Sequence, residues 1–230
     1  MKNIKIIFIA TGHYYIRFND FLNSIKTFYP NDHKTIILLS NVHEKKYDNY
    51  DEDNVSIKFT MIDHFPWPII TLFKMHFVKE CISPDDDFIF FINSNMLTFE
   101  GYNNQDLLCE DKFIAYRFNK EGYYATWNDY NPFNNQIKYV QGGLWGGKYP
   151  AVYKMCEWVS HRINENLLHN KIERLHDETA LNAYIASCNP NEYDIRNADE
   201  IFYRNEPYQS GLDRDNKIAT ENYILKRYEI

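Results

Sequence analysis

Two patterns of apolar residues alternate along the chain. Predominantly apolar stretches cover Ile4 to Ala10, Thr35 to Ser40 and Phe88 to Ile92. They show no period of two, as expected of strands buried on both faces. Between the first two runs Phe18, Phe21, Leu22, Ile25 and Phe28 recur at helical spacing until Pro30-Asn31-Asp32 stops them. This β-α-β opening predicts a parallel strand pair joined by a right-handed crossover. Asn41 to Asn54 is polar and charged and predicts a surface helix and loop, and Val55 to Ile62 predicts a short strand. His64-Phe65-Pro66-Trp67-Pro68 reads as a rigid segment before a helix over Ile70 to Cys81. Phe113 to Tyr116 predicts another strand. Val152, Met155, Cys156, Val159 and Ile163 mark one further helix, Leu181, Tyr184 and Ile185 another, and Ile201-Phe202-Tyr203 a last short strand. The 230 residues fit one large α/β domain.

Polar residues at the ends of these elements supply the candidate chemistry. Asn93 and Asn95 follow the run Phe88 to Ile92; one residue apart on an extended chain, their side chains point the same way. Ligands of open α/β sheets bind outside the carboxyl ends of strands, although an Asx turn closing a core strand fits the same residues. The turn Thr11 to Tyr15 could hold a nucleotide, with Tyr14 or Tyr15 against a base or packed inward. Lys74 lies within its helix, either as a solvated charge or as a site cation. Asn119 to Asn135, rich in Tyr and Asn, suits polyol recognition or an ordinary surface loop. Four of the eight glycines fall within Gly142 to Gly147, a density that permits close backbone approach to a ligand. Gly142, Gly147 and Lys148 fit G-x-x-x-x-G-K, but Tyr149 stands where a phosphate loop needs a Ser or Thr hydroxyl, and Trp145 would crowd the phosphates. Asp177 has the look of a helix N-cap, which puts Glu178 in the first turn, where the helix dipole favours an ionised carboxylate. The same pair could serve only to satisfy helix amides.

Composition narrows the classes. A net charge of −7 argues against a general nucleic-acid or anionic-membrane surface. The four cysteines are scattered without a CxxC pair, so reduced thiols are expected rather than a zinc site or disulfide framework. The apolar N-terminus reads as a first strand, and no stretch has the length of a membrane span; a cytoplasmic chain with no membrane partner is expected. The 17% aromatic share suits stacking on sugars or bases as well as core packing.

Read together, Asn93-Ser94-Asn95-Met96, Gln141-Gly142-Gly143-Leu144-Trp145-Gly146-Gly147 and His176-Asp177-Glu178-Thr179-Ala180-Leu181-Asn182 resemble family 6 of the glycosyltransferases, which includes the histo-blood-group A and B transferases and the α1,3-galactosyltransferases. The likeness spans about Ile6 to Asn205. It implies a GT-A fold: a single Rossmann-like domain over residues 1–230 with a mixed, mainly parallel sheet. It also implies transfer of GalNAc or Gal from a UDP-sugar to the 3-OH of a β-galactoside with retained α configuration. Where animal members carry a manganese-binding Asp-x-Asp, this chain has Asn93-Ser94-Asn95 and looks like the metal-independent bacterial branch. Neutral amides lack the carboxylate charge that pins a hard cation beside a diphosphate. No cofactor or divalent metal is therefore expected, and fixed protein cations must stabilise the leaving UDP. Lys74 and two residues of the basic tail 216–230, Lys226 and Arg227, are the candidates, with Lys217 behind them.

On the donor side the resemblance implies Ala10, Thr11, Tyr14, Lys74, Asn93, Ser94, Asn95, Gln141, Gly142, Gly143, Asp177, Lys226 and Arg227. On the acceptor side it implies Trp67, His176 and Glu178, with Glu178 also the catalytic carboxylate, either nucleophile or stabiliser of an oxocarbenium-like transition state. Gly143, lacking a side chain, leaves room for a 2-acetamido group and favours UDP-GalNAc as donor, with a fucosylated β-galactoside as acceptor and a monomer as the working form. The alternatives are an α1,3-galactosyltransferase using UDP-Gal, a non-catalytic UDP-sugar or glycan-binding protein, and a UDP-sugar hydrolase.

Overall fold

Strand β1 (Asn3–Ile9) carries apolar side chains on both faces, so it needs cover from both sides. Ile4, Ile6 and Phe8 enter one core, Ile7 and Ile9 the other. Strand β5 (Phe88–Ile92) divides in the same way, Phe88, Phe90 and Ile92 against Ile89 and Phe91. The first core is covered by α1 (Phe18–Lys26) through Phe18, Phe21, Leu22 and Ile25. The second lies under α2 (Ile69–Cys81), α3 (Tyr149–Leu168) and α4 (Asp177–Ser187). This computed structural model describes residues 1–65, 68–117, 139–173 and 175–204. None of the described helices is long and apolar enough to cross a membrane.

Among the described residues the sheet between the helix layers has eight strands and is mixed and mostly parallel, as the resemblance implies. Its order is β3 (Asp51–Glu52), β4 (Val55–Met61), β2 (His33–Ser40), β1, β5, β8 (Leu144–Gly147), β7 (Phe113–Arg117) and β9 (Tyr193–Asn197). Strands β4, β2, β1 and β5 are parallel, as are β7 and β9, whereas β8 runs against both of its neighbours. A separate antiparallel ribbon pairs β6 (Met96–Thr98) with β10 (Phe202–Arg204).

Three elements differ from the sequence prediction. The polar stretch after β2 forms a short 3-10 turn at Lys45–Tyr47 and the hairpin β3–β4, not a helix. Tyr193–Asn197 is a strand although all five of its residues are half-buried and no apolar run marks it. The third is the glycine-rich segment, for which the sequence predicts no element and whose second half is a central strand. A Cβ at Gly146 would lie 2.6 Å from the Ile89 carbonyl oxygen, and Gly147 takes φ +145°, so both glycines are what let β8 enter here. Trp145, fully buried, stacks on Phe91 at 5.0 Å between ring centres. Because β8 runs backwards, its N-terminal end delivers Gln141-Gly142-Gly143 to the carboxyl ends of β5 and β7.

Candidate functional site

At the carboxyl end of β5 the chain turns at once. Met96 N–H donates to the Asn93 carbonyl at 3.0 Å, closing a four-residue turn. Within it Asn93 Nδ2 donates to Asn95 Oδ1 at 3.0 Å. The two amides are thus brought together by a turn, where the sequence prediction had them aligned on an extended strand. Asn93 and Asn95 are half-buried and Ser94 is buried between them. Asn93 N–H donates to the Gly143 carbonyl at 2.8 Å, which ties this turn to the start of β8.

Gly143 has a different use from the one expected. A Cβ there would meet Met96 Cε at 2.8 Å and Asn93 Cβ at 3.2 Å. Its bare Cα lets the Asn93–Met96 turn pack against β8 and opens no room on that side for a 2-acetamido group. The absence of a side chain at 143 therefore does not favour GalNAc over Gal.

Residues 139 to 142 are stapled to the first turn of α4. Asn182, only 1% exposed, holds both backbone groups of Val140: its Oδ1 accepts from Val140 N–H at 3.0 Å and its Nδ2 donates to the Val140 carbonyl at 2.8 Å. The same Nδ2 also donates to the Glu178 carbonyl at 2.7 Å. Glu178 returns the connection through its side chain. Its Oε1 accepts from Gly142 N–H at 2.9 Å, and its Oε2 accepts from the Tyr139 hydroxyl. The carboxylate is half-buried and held from two directions at the sheet edge where ligands bind.

Lys74 completes the cluster from α2. It is buried, and its Nζ donates to the Gly142 carbonyl at 2.8 Å and to Asp177 Oδ2 at 2.5 Å, while lying 4.8 Å from the centre of the Phe91 ring. Trp145 Nε1 donates to the same Gly142 carbonyl at 3.2 Å. Lys74 is therefore not the solvated charge that its helix position allowed. It is also not a spare cation for a diphosphate, since Asp177 already matches its charge.

The entry to α4 is unusual. His176, buried, has φ 50° and ψ −120°, a conformation that residues with a Cβ avoid. Three bonds hold the chain around it: His176 N–H to the Glu173 carbonyl and Glu178 N–H to the Leu175 carbonyl, both at 2.9 Å, and Leu175 N–H to Thr179 Oγ1 at 3.2 Å. The helix begins with Asp177 as its first residue and His176 in the capping position, one place earlier than the sequence prediction. Asp177 is used for Lys74, and Glu178 stands in the first turn as expected. Charge there is favoured by the helix dipole.

No protein-family model matches this chain, and no curated protein matches it.

Ala10, Thr11 and Tyr14 lie along the same sheet edge, at the carboxyl end of β1, the parallel neighbour of β5. Ala10 and Thr11 are buried and Tyr14 is half-buried with its ring 4.1 Å from that of His13. Gly12 N–H donates to Asn41 Oδ1 at 2.7 Å, joining the ends of β1 and β2. Of the expected site residues, then, Lys74, Asn93, Asn95, Gly142, Gly143, Asp177 and Glu178 form one bonded cluster. Buried Gln141 belongs to the same segment. Trp67, Lys217, Lys226 and Arg227 lie outside the described residues. From the sequence Tyr139 has no assigned role, and Asn182 has only its place at the end of the motif that begins at His176. Asn182 was findable, since it stands four residues after Glu178 on one helix face. Tyr139 carries no such signal beyond its place before Gln141-Gly142-Gly143.

Proposed function

We propose that the chain is a retaining, metal-independent glycosyltransferase that moves GalNAc, or Gal in its place, from a UDP-sugar to the 3-OH of a fucosylated β-galactoside. The observation that carries this reading is the placement of Glu178. Its carboxylate is fixed by Gly142 N–H and the Tyr139 hydroxyl, beside the buried Lys74–Asp177 pair, while Gly143 carries the link to the Asn93-Asn95 turn. The mostly parallel sheet is compatible with the Rossmann-like architecture that the resemblance implies.

UDP is a good leaving group, so the carboxylic acid of a glycosidase is not needed. The C1–O bond to UDP breaks with its electron pair departing on the diphosphate, the acceptor O3 bonds to C1, and the acceptor proton leaves with the UDP or to solvent. Positive charge grows on C1 and the ring oxygen meanwhile, and an ionised Glu178 stabilises it. Charge on the departing diphosphate calls for cations, and since Lys74 is engaged with Asp177 that role passes to Lys226 and Arg227. The Asn93 and Asn95 amides serve as neutral hydrogen-bonding groups, their chemistry being unsuited to pinning a divalent ion.

The test is Glu178→Gln, which keeps the shape and removes the charge. Turnover is expected to fall by about a hundredfold or more, the scale on which loss of one charge-stabilising group acts, while UDP still binds. Undiminished turnover would remove Glu178 from the mechanism.

A further inference from the structure

Tyr139 stands two residues before Gln141 at the start of the segment that feeds β8. Its side chain is buried, with 6% exposure for the residue, and its hydroxyl is spent on the carboxylate of Glu178. Its backbone neighbour Val140 is clamped on both N–H and carbonyl by Asn182, which sits one helical turn beyond Glu178 and binds that residue's carbonyl as well. The phenol and the carboxylate are thus referenced to the same turn of α4, one through the chain and the other through Asn182. A surface tyrosine that happened to reach a glutamate would have no such support.

We infer that Tyr139 is a positioning residue for Glu178, holding the carboxylate's orientation and its charge against the developing cation at C1 of the donor sugar. This rests on the glycosyltransferase reading above and deepens it. Gly142 N–H restrains one oxygen and the Tyr139 hydroxyl the other, so the plane of the carboxylate is set at both ends. Two donors also favour the ionised over the protonated carboxyl. Fixing a charged group in advance is what lets it stabilise a transition state without reorganising during the reaction. Tyr139 does not touch the reacting atoms in this scheme and acts only through Glu178.

The experiment compares the full-length protein with Tyr139→Phe, which deletes one oxygen and keeps the ring. With UDP-sugar and acceptor, kcat is expected to fall roughly tenfold to a hundredfold, as for loss of a hydrogen bond to a charged group. KM for the donor should be nearly unchanged. The acid limb of kcat/KM should move to higher pH, a readout that a purely structural tyrosine would leave in place. UDP affinity and the melting temperature report whether the variant is folded. Should the variant not fold, 3-fluorotyrosine placed at position 139 keeps the packing and strengthens the donor; the acid limb is then expected to move to lower pH. A wild-type enzyme that transfers sugar beside a variant with unaltered kcat and pH profile would overturn the role of Tyr139 alone. An unmoved limb with fluorotyrosine would do the same. A wild-type protein that transfers nothing would overturn the glycosyltransferase reading and this inference together.

Discussion

Lys74 and Asp177 lie 103 residues apart in the chain and meet at 2.5 Å, with side chains only 7% and 5% exposed. Their contact joins α2 to the start of α4, and through the Gly142 carbonyl it also fixes the segment that feeds β8. An ion pair sealed from water gains little net stability over an apolar pair of the same size, but removing one member leaves the other charge stranded.

Lys74→Met is therefore expected to destabilise the fold by about 3–5 kcal/mol. The double change Lys74→Met with Asp177→Asn should restore part of that loss. Urea denaturation of the two single variants and the double variant checks this. Additive losses would mean that the two side chains do not depend on each other.

Gly142 and Gly143 should differ in what an added methyl group does. At Gly142 a Cβ would stand 2.5 Å from Asp177 Oδ2 and 2.8 Å from Glu178 Cγ, both held in place by the network. At Gly143 the nearest atom is Met96 Cε at 2.8 Å, the free end of a flexible side chain. Gly142→Ala is expected to displace Glu178, costing about 1–3 kcal/mol in overpacking and nearly all turnover. Gly143→Ala should be the milder of the two in both measurements. Steady-state kinetics and thermal melts of the two variants decide it, and equal effects would contradict the assigned contacts.

His76 on α2 gives the stability a pH dependence. Its ring packs 5.4 Å from that of Phe73, and burial holds its imidazole below the ordinary 6.5, although Asn164 beside it favours the protonated ring. Unfolded histidine therefore takes up a proton at a higher pH than His76 does in the fold. The stability contributed by the neutral ring is complete above 6.5 and is lost as pH falls through the lower native value. The difference in unfolding free energy between wild type and His76→Gln should shrink between about pH 7 and about pH 5. A constant difference would show that His76 titrates alike in both states.

The strands buried on both faces were legible because Ile6–Ile9 and Phe88–Ile92 are unbroken apolar runs, and α3 because Val152 to Ile163 keep helical spacing. Strand β8 was not. Gly146 and Gly147 argue against a strand by propensity, and only the approach of the Ile89 carbonyl, from a partner more than fifty residues away, explains them. Strand β9 is a polar sheet edge, so its residues carry no buried run to read. In the site, the Asn93-Asn95 pair and Glu178 stood out by position. Lys74 read as either a solvated charge or a site cation because its partner Asp177 is supplied by tertiary structure, and Gly143 read as open space because Met96 was not known to fill it.

The most direct measurement is transfer from UDP-GalNAc and from UDP-Gal to 2′-fucosyllactose and to lactose, in EDTA and again with added manganese, with the anomeric configuration of the product read by NMR. The expected result is an α-linked product on the galactose 3-OH formed in EDTA, with the two donors ranked by rate. Transfer only with manganese would contradict the role given to the Asn93 and Asn95 amides. No transfer under either condition would contradict the assignment as a glycosyltransferase.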